Sequence, residues 1–374
     1  MSTPRIVRRR SGLAHWLAGP LTHVGHAAGI CSRSSENLEI WRERGAAPAD
    51  GASARCPLCG ADTGHQLTLP LHTSADVREL GDCHVVLCTA CATGRTEPVP
   101  SDSARVITPD VQREIMNAMQ RALLRRFMRQ RVARVRPLLP SDRRPRVADV
   151  GGGACAFANA LAATGCDVSV FEPNAANASF ADTGAGVRFI AAPFDERAVA
   201  ASGIADGSLD AVTMWHALEH VPDPVATLAL ARRLLRPGGV LYVSVPNLDS
   251  LQADVAGTLW CYADIPRHLT HFSPEGLASR LQQAGFTAVA PYWWNAEYEI
   301  FGWYQTVLNL LTGSHNYFYN RAKKGRLAEA GPHPAWTRTA TALGPLLMPV
   351  VVTAAWFASA ASKPACVEMH GVAS

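Results

Sequence analysis

From Val111 to Val135 the apolar residues Ile115, Met119, Leu123, Phe127, Val132 and Val135 recur at helical spacing, with Arg121, Arg125 and Arg129 along another face. That pattern predicts one long amphipathic helix, stopped by Pro137 and Pro140. Beyond it the pattern changes to short apolar runs at about 146–151, 167–172, 187–192, 209–215 and 239–245, separated by helical stretches. Strands apolar on both sides that alternate with helices belong to a parallel sheet covered on both faces. The fold class expected is therefore α/β, a doubly wound Rossmann-like sheet. Ser273 to Ala284 reads as a further helix, with a Ser cap, Pro274 after it and Gly285 as its stop; Thr287 to Trp294 follows as a strand. Upstream, Cys56 to Cys91 is short, turn-rich and punctuated by cysteine, as in a module too small to make a core unaided.

The chain has 374 residues, 48% hydrophobic and 18% charged, which fills a sizeable core and excludes a disordered or collagen-like chain. A net charge of +4 says little, but its distribution says more. Twelve arginines stand against three acids between Arg105 and Arg146, a local balance of +9 that leaves the remainder at −5. Ten cysteines in so long a chain do not suggest a secreted disulfide framework. Four of them form Cys56-x-x-Cys59 and Cys88-x-x-Cys91, two knuckles suited to tetrahedral structural zinc in a reducing cytoplasm, with Cys83 and His84 as reserve ligands. Arg8, Arg9 and Arg10 open the chain, but His15, Trp16, Pro20 and His23 interrupt any apolar run long enough for a signal peptide. Residues 1–50 are expected to be a poorly ordered arm, 51–100 a zinc-ribbon module and 105–140 a basic helix and linker.

The candidate chemistry lies in Arg146 to Asn174, RVADVGGGACAFANALAATGCDVSVFEPN. A strand runs into Asp149, then Gly151, Gly152 and Gly153, and a helix follows at once; glycines there let the backbone turn sharply and approach a ligand. Glu172 ends the next strand, where a carboxylate can accept from both ribose hydroxyls of an adenosine. Gly151-x-Gly153-x-x-Ala156 also fits the relaxed dinucleotide fingerprint, so two cofactors are open on geometry. Asp149 tilts the choice: an acid before the first glycine suits a ligand carrying an ammonium and a sulfonium and repels a pyrophosphate.

Three further segments follow in order: SLDAVTMWHALEHVPDP at 208–224, LLRPGGVLYVSVPN at 234–247 and PRHLTHFSPEGLASRLQQAGF at 266–286. With the glycine-rich turn they resemble the class I S-adenosylmethionine-dependent methyltransferases, and within them the ubiquinone-biosynthesis-type group, whose Leu-Glu-His-Val-x-Asp-Pro segment stands here as Leu218 to Pro224. The resemblance covers about residues 145–294. It implies a seven-stranded sheet whose last strand, Cys366 to Val372, is antiparallel, a catalytic domain over 141–294 plus 364–374, and S-adenosylmethionine as cofactor. Carried over by position, Asp149, Gly151 and Gly153 line the methionine and ribose side, Glu172 holds the ribose, Ala192, Pro193 and Phe194 lie near adenine, and Trp215 and His216 border the methionine end and the acceptor. Cys155 stands where the family has its third glycine, a departure that puts cofactor affinity in question. His216, His268 and His271 are the candidates for contact or proton transfer, with His220 expected to fix the local turn.

Residues 295–363 interrupt the last two strands with an aromatic and apolar helical insertion, read as a lid over the site, with a membrane-facing foot through 297–361 as the second reading. The activity expected is methyl transfer to a hydroxyl or carbon of a small or lipid-linked metabolite. RNA-directed methylation through the arginine-rich helix, or a noncatalytic cofactor-fold protein that binds RNA or a partner, is the less favoured alternative. Met214, Trp215, His216 and Ala217 stand where base-amine methyltransferases carry an Asn-Pro-Pro-Tyr type of tetrad.

Overall fold

The computed structural model describes residues 47–48, 55–72, 82–99, 118–292, 294–324 and 333–374. The amino-terminal arm, apart from residues 47 and 48, and positions 111–117 of the basic helix lie outside the described residues. The described chain begins with the antiparallel strands β1 (Ala47–Pro48), β2 (Gln66–His72), β3 (His84–Cys88) and β4 (Thr93–Glu97). Helix α1 (Ala118–Val135) leads into β5 (Arg146–Val150), α2 (Ala156–Ala162), β6 (Asp167–Phe171), β7 (Val187–Ile190), α3 (Glu196–Ser202) and β8 (Leu209–Trp215). Then come α4 (Pro224–Leu234), β9 (Leu235–Pro246), α5 (Leu251–Ala256), β10 (Thr270–Phe272), α6 (Pro274–Gln283) and β11 (Phe286–Tyr292). The insertion forms α7 (Ala296–Thr312), α8 (Tyr317–Lys324), α9 (Pro334–Leu343) and α10 (Met348–Ala360) before β12 (Cys366–Ala373) closes the chain.

Seven strands form the central sheet in the order β11-β12-β9-β8-β5-β6-β7, parallel from β9 to β7, with β12 antiparallel to both β9 and β11. All seven residues of β8 are buried, Asp210 and Thr213 included, as in a central strand covered on both faces. The winding reverses between β5 and β8, so a crevice opens beyond their carboxyl ends. Local signals start the helices. The side chains of Asp195, Asp223 and Ser273 accept from Ala198, Ala226 and Gly276 N–H at 2.8, 2.9 and 2.9 Å, and Pro224 and Pro274 take the first helical positions.

Two arrangements differ from the sequence-based expectation. The buried line of α1 includes Met128 and Val135 with Leu124 partly covered, whereas Leu123 is 49% exposed. A stripe stepped by four drifts round a helix of 3.6 residues per turn, and the helix settles on the line that also brings Arg131 inward. Arg125 and Arg129 remain on the outer side, while Arg134 reaches Glu368 of β12 at 2.5 Å.

The second difference concerns the cysteine module, which is sewn into the catalytic domain. Strand β10, from the segment 266–286, pairs with β4 and completes a five-stranded sheet. Ser273 Oγ donates to Ala92 O at 2.6 Å, Arg280 donates to Leu58 O, and a Cβ on Gly276 would lie 2.6 Å from Ala92 O.

Candidate active site

The turn after β5 is built on left-handed backbone. Gly151 has φ +67°, Gly153 φ +50° and Cys155 φ +56°. A Cβ on Gly151 would stand 2.7 Å from the Ala217 Cβ, so this glycine lets the turn and the end of β8 touch. Around Gly153 a Cβ would meet nothing within 4 Å, which leaves open space for a ligand. Cys155 stands where the resemblance expects the third glycine, with its thiol buried and 3.7 Å from Gly153 O.

Asp149 is buried, accepts from Thr213 Oγ1 at 2.7 Å, and burial pushes its carboxyl up to about 7. A cation beside it would restore the charged form. Glu172 accepts from Gly153 N–H at 3.0 Å and from Asn174 N–H at 2.9 Å, so the acid is held by the turn it serves and keeps lone pairs for a diol. Phe194 packs edge-on against Phe171, centroids 5.0 Å apart, and belongs to the core, whereas Pro193 is exposed.

A cavity of about 170 Å³ lies over this turn, lined by Met128, Arg131, Asp149, Gly151, Trp215 and Glu297. Arg131 crosses it. Its guanidinium lies 4.9 Å from the Trp215 ring centroid and bonds Glu297 at 2.8 and 3.1 Å and the Tyr298 hydroxyl at 2.5 Å. The Trp215 ring packs on Phe157 and Tyr242, and its buried Nε1 has no partner. The insertion therefore closes one wall of the crevice from the start of α7. Arg131, Glu297 and Tyr298 escaped the sequence reading because the pair lies 166 and 167 residues apart along the chain.

His216 follows β8 in left-handed backbone, φ +52°. Its Nδ1 lies 3.1 Å from Glu219 Oε1, its Nε2 lies 3.6 Å from Cys366 Sγ, and its ring faces Tyr298 with centroids 4.0 Å apart. Burial would push the Glu219 carboxyl up, but the His216 imidazole, with His220 and His268 beyond, outweighs that and holds it down at about 2. His268 and His271 are different. Burial pushes His268 down to about 4, and its Nδ1 lies 2.9 Å from Tyr262 O. Burial pushes His271 down to about 3, and its Nε2 pairs with Thr96 Oγ1 of β4 at 3.0 Å. His271 is thus engaged in the seam with the cysteine module. His220 Nδ1 meets Arg267 O at 3.1 Å, as a residue that fixes a turn would.

In the amino-terminal module the four thiols of Cys56, Cys59, Cys88 and Cys91 converge within 4.8 Å of one another, with Cys56–Cys91 at 4.0 Å and Cys59–Cys88 at 3.6 Å. Cys83 instead donates to Pro98 O.

A family model described as "Methyltransferase domain" matches residues 120–290. The chain is 31% identical over 151 residues to a ubiquinone biosynthesis O-methyltransferase of Bordetella avium, covering 37% of this chain and 61% of that protein. It is 39% identical over 84 residues to the enzyme of that name from Xanthomonas oryzae pv. oryzae, covering 21% and 35%. The chain thus spans less than two thirds of the length of these curated relatives. Among solved structures, a SAM-dependent methyltransferase from Archaeoglobus fulgidus matches at 17% identity with a TM-score of 0.40, over 66% of this chain and 94% of that one. Residues 120–290 are thus similar to a methyltransferase domain, and the strand order is the one that the resemblance to the class I S-adenosylmethionine-dependent methyltransferases implied.

Proposed function

We propose that this protein transfers a methyl group from S-adenosylmethionine to a hydroxyl of a small or lipid-linked acceptor in the cytoplasm, with His216 as the base. A carbon nucleophile, the other acceptor atom expected, also loses a proton on methylation, so the base serves either atom. The observation that carries the reading is the His216–Glu219 pair at the end of β8, one residue from the Ala217 methyl that touches the glycine turn.

Bound over that turn, the cofactor supplies a methyl group on a cationic sulfonium, a leaving group that needs no activation. The residues present fit it. Space at Gly153 admits the ligand, Asp149 faces its cationic end, Glu172 accepts from the ribose, and Arg131 is the cation for its carboxylate. Glu219 Oε1 lies 3.1 Å from His216 Nδ1 without the alignment of a hydrogen bond; a small rotation of the ring would let the carboxylate accept Nδ1–H and leave Nε2 as the basic atom. His216 then takes the acceptor proton at Nε2 while the rings of Tyr298 and Trp215 exclude water. His268 and His271, held neutral by burial, serve better as structural residues than as proton carriers.

The four thiolates would hold a structural zinc. A tetrahedron with Zn–S bonds of about 2.3 Å has edges of about 3.8 Å, close to the 3.6 and 4.0 Å separations here. With four sulfur donors that site has no open position for water, so its role is to brace the fold. Turning Arg131 and Arg134 inward weakens the RNA reading, because two cations of the basic helix are committed to the fold.

Calorimetry with S-adenosylmethionine and S-adenosylhomocysteine, followed by transfer of labelled methyl to a panel of phenols and catechols with and without isoprenoid tails, tests the reading. Micromolar cofactor binding with turnover on a hydroxylated ring supports it. Absence of heat with either compound, or binding without transfer alongside salt-sensitive RNA affinity, refutes it.

A further inference from the structure

Water sorts the two faces of a surface helix: the face on the core is apolar and the other is polar. Helix α9, the turn Gly344–Leu347 and α10 run together as one rod, Pro334–Ala360, that breaks this rule. Its mean hydropathy reaches 1.7, and Arg338 is its only charged residue. On α10, Val351, Ala355 and Ala358 pack in a cluster with Trp303 of α7. The opposite stripe, Leu346, Val350, Thr353 and Phe357, is also largely apolar, and Leu346, Val350 and Phe357 are 75%, 57% and 56% exposed. Leu310 and Leu311, near the carboxyl end of α7, add to the exposed apolar surface. Only 22% of the rod's most apolar window is buried, so it is not a core helix.

Charge says what covers such a face. Between residues 300 and 363 the sequence carries Arg321, Lys323, Lys324, Arg326 and Arg338 against Glu329, besides Lys363, which Asp254 holds at 2.7 Å, in a chain whose remainder is slightly acidic. An apolar stripe in a cationic segment complements a surface that is negative outside and hydrocarbon within.

We propose that the outer face of the 334–360 rod docks in the plane of an anionic lipid bilayer, pressed into the boundary between headgroups and acyl chains, with exposed Arg321 and Arg338 on the headgroups. The rod lies on the membrane and does not cross it, because its other face is taken by α7. Helix α7 joins this surface to the crevice. Glu297 lines the cavity and Leu311 lies in the apolar surface, 14 residues and about 21 Å farther along the helix. An acceptor could thus present its polar head to His216 while its apolar tail stays in the bilayer. The docking stands independently of methyl transfer, since it rests on the rod alone.

Co-flotation of the full chain with phosphatidylglycerol-rich vesicles and with pure phosphatidylcholine vesicles tests it. The protein should float with the anionic vesicles, and partition at least about tenfold less onto neutral ones or at high salt. Tryptophan emission should shift to the blue and be quenched by brominated lipid, since Trp336 and Trp356 are both about half exposed. The variant Leu346→Asp/Val350→Asp/Phe357→Asp should lose flotation with an unchanged melting temperature and unchanged cofactor binding. Should it fail to fold, Leu346→Asp alone, at the most exposed apolar position, should still cut partitioning severalfold. Two results overturn the proposal: wild-type protein that stays down with both vesicle types, or a dimer in solution that the triple variant converts to monomer, which would assign the face to a second copy of the chain.

Discussion

Nδ1 of His216 stands 3.1 Å from Oε1 of Glu219, a carboxylate that is 1% exposed and ionised because imidazoles surround it. The pair occupies one short turn: His216 follows β8 in left-handed backbone and Glu219 comes three residues later. One ring nitrogen faces the carboxylate and the other lies 3.6 Å from Cys366 Sγ, with the Tyr298 ring alongside.

His216→Ala should lower kcat by roughly 10²- to 10⁴-fold with little change in cofactor affinity, the usual range for loss of a general base. Glu219→Gln acts through His216 and should lower kcat by a smaller factor, on the order of tenfold, with KM nearly constant. Both are read from steady-state kinetics beside cofactor calorimetry. Rates that stay high in both variants would show that His216 is not the base.

Arg131 bonds Glu297 across the crevice, and in the proposed reading the cofactor's carboxylate competes for it. Arg131→Met should weaken cofactor binding about 10- to 100-fold, because a charge-assisted bond contributes about 1.5–3 kcal/mol. Glu297→Gln releases the guanidinium from its pairing in the free protein and should tighten binding severalfold. Equal weakening in both variants would mean that the pair acts only as a structural brace.

Burial pushes the Glu299 carboxyl up to about 8; Ala365 N–H bonds one oxygen and the other is without a partner. A folded-state value above the unfolded one means that native chains keep a proton that unfolded chains have released. Stability is therefore full below about pH 4.5 and falls as pH rises through about 8. Glu299→Gln should flatten that fall, matching wild type near pH 5 and exceeding it by a few kcal/mol near pH 9. Urea denaturation at three pH values measures it, and parallel curves for the two proteins would refute it.

Chelation should remove one zinc per chain and destabilise more than the cysteine module. Strand β4 shares a sheet with β10, and Ser273, the cap of α6, bonds Ala92 in the loop that follows the second knuckle. Cys88→Ser should therefore lower the melting temperature of the catalytic domain by several degrees and reduce methyl transfer, read by metal analysis and calorimetric melting. A catalytic domain that melts unchanged after metal loss would show that the seam transmits nothing.

Much of the fold was legible along the chain because its signals are local. The five parallel strands, the glycines of the turn after β5, Glu172 at the end of β6, the cap at Ser273 and both cysteine knuckles each declare themselves within a few residues. The antiparallel strand at 366–372 was legible only through resemblance, since its partner β9 lies over a hundred residues upstream. The arginines of α1 were misread in part: sequence marks a basic helix, but spacing does not say that Arg131 and Arg134 are the two that turn inward.

The sequence by itself determined the sheet, the cofactor turn and the thiol set, since each depends on backbone conformation and periodicity that neighbouring residues impose. Tertiary structure alone decided that α7 would bring Glu297 and Tyr298 over the crevice, that His271 would serve the seam with β4 instead of the acceptor, and that Phe194 would join the core. It also decided that one apolar rod would keep its outer face in solvent. These outcomes turn on which surfaces meet when distant segments pack, and hydrophobic pattern fixes that a face is to be covered without naming what covers it.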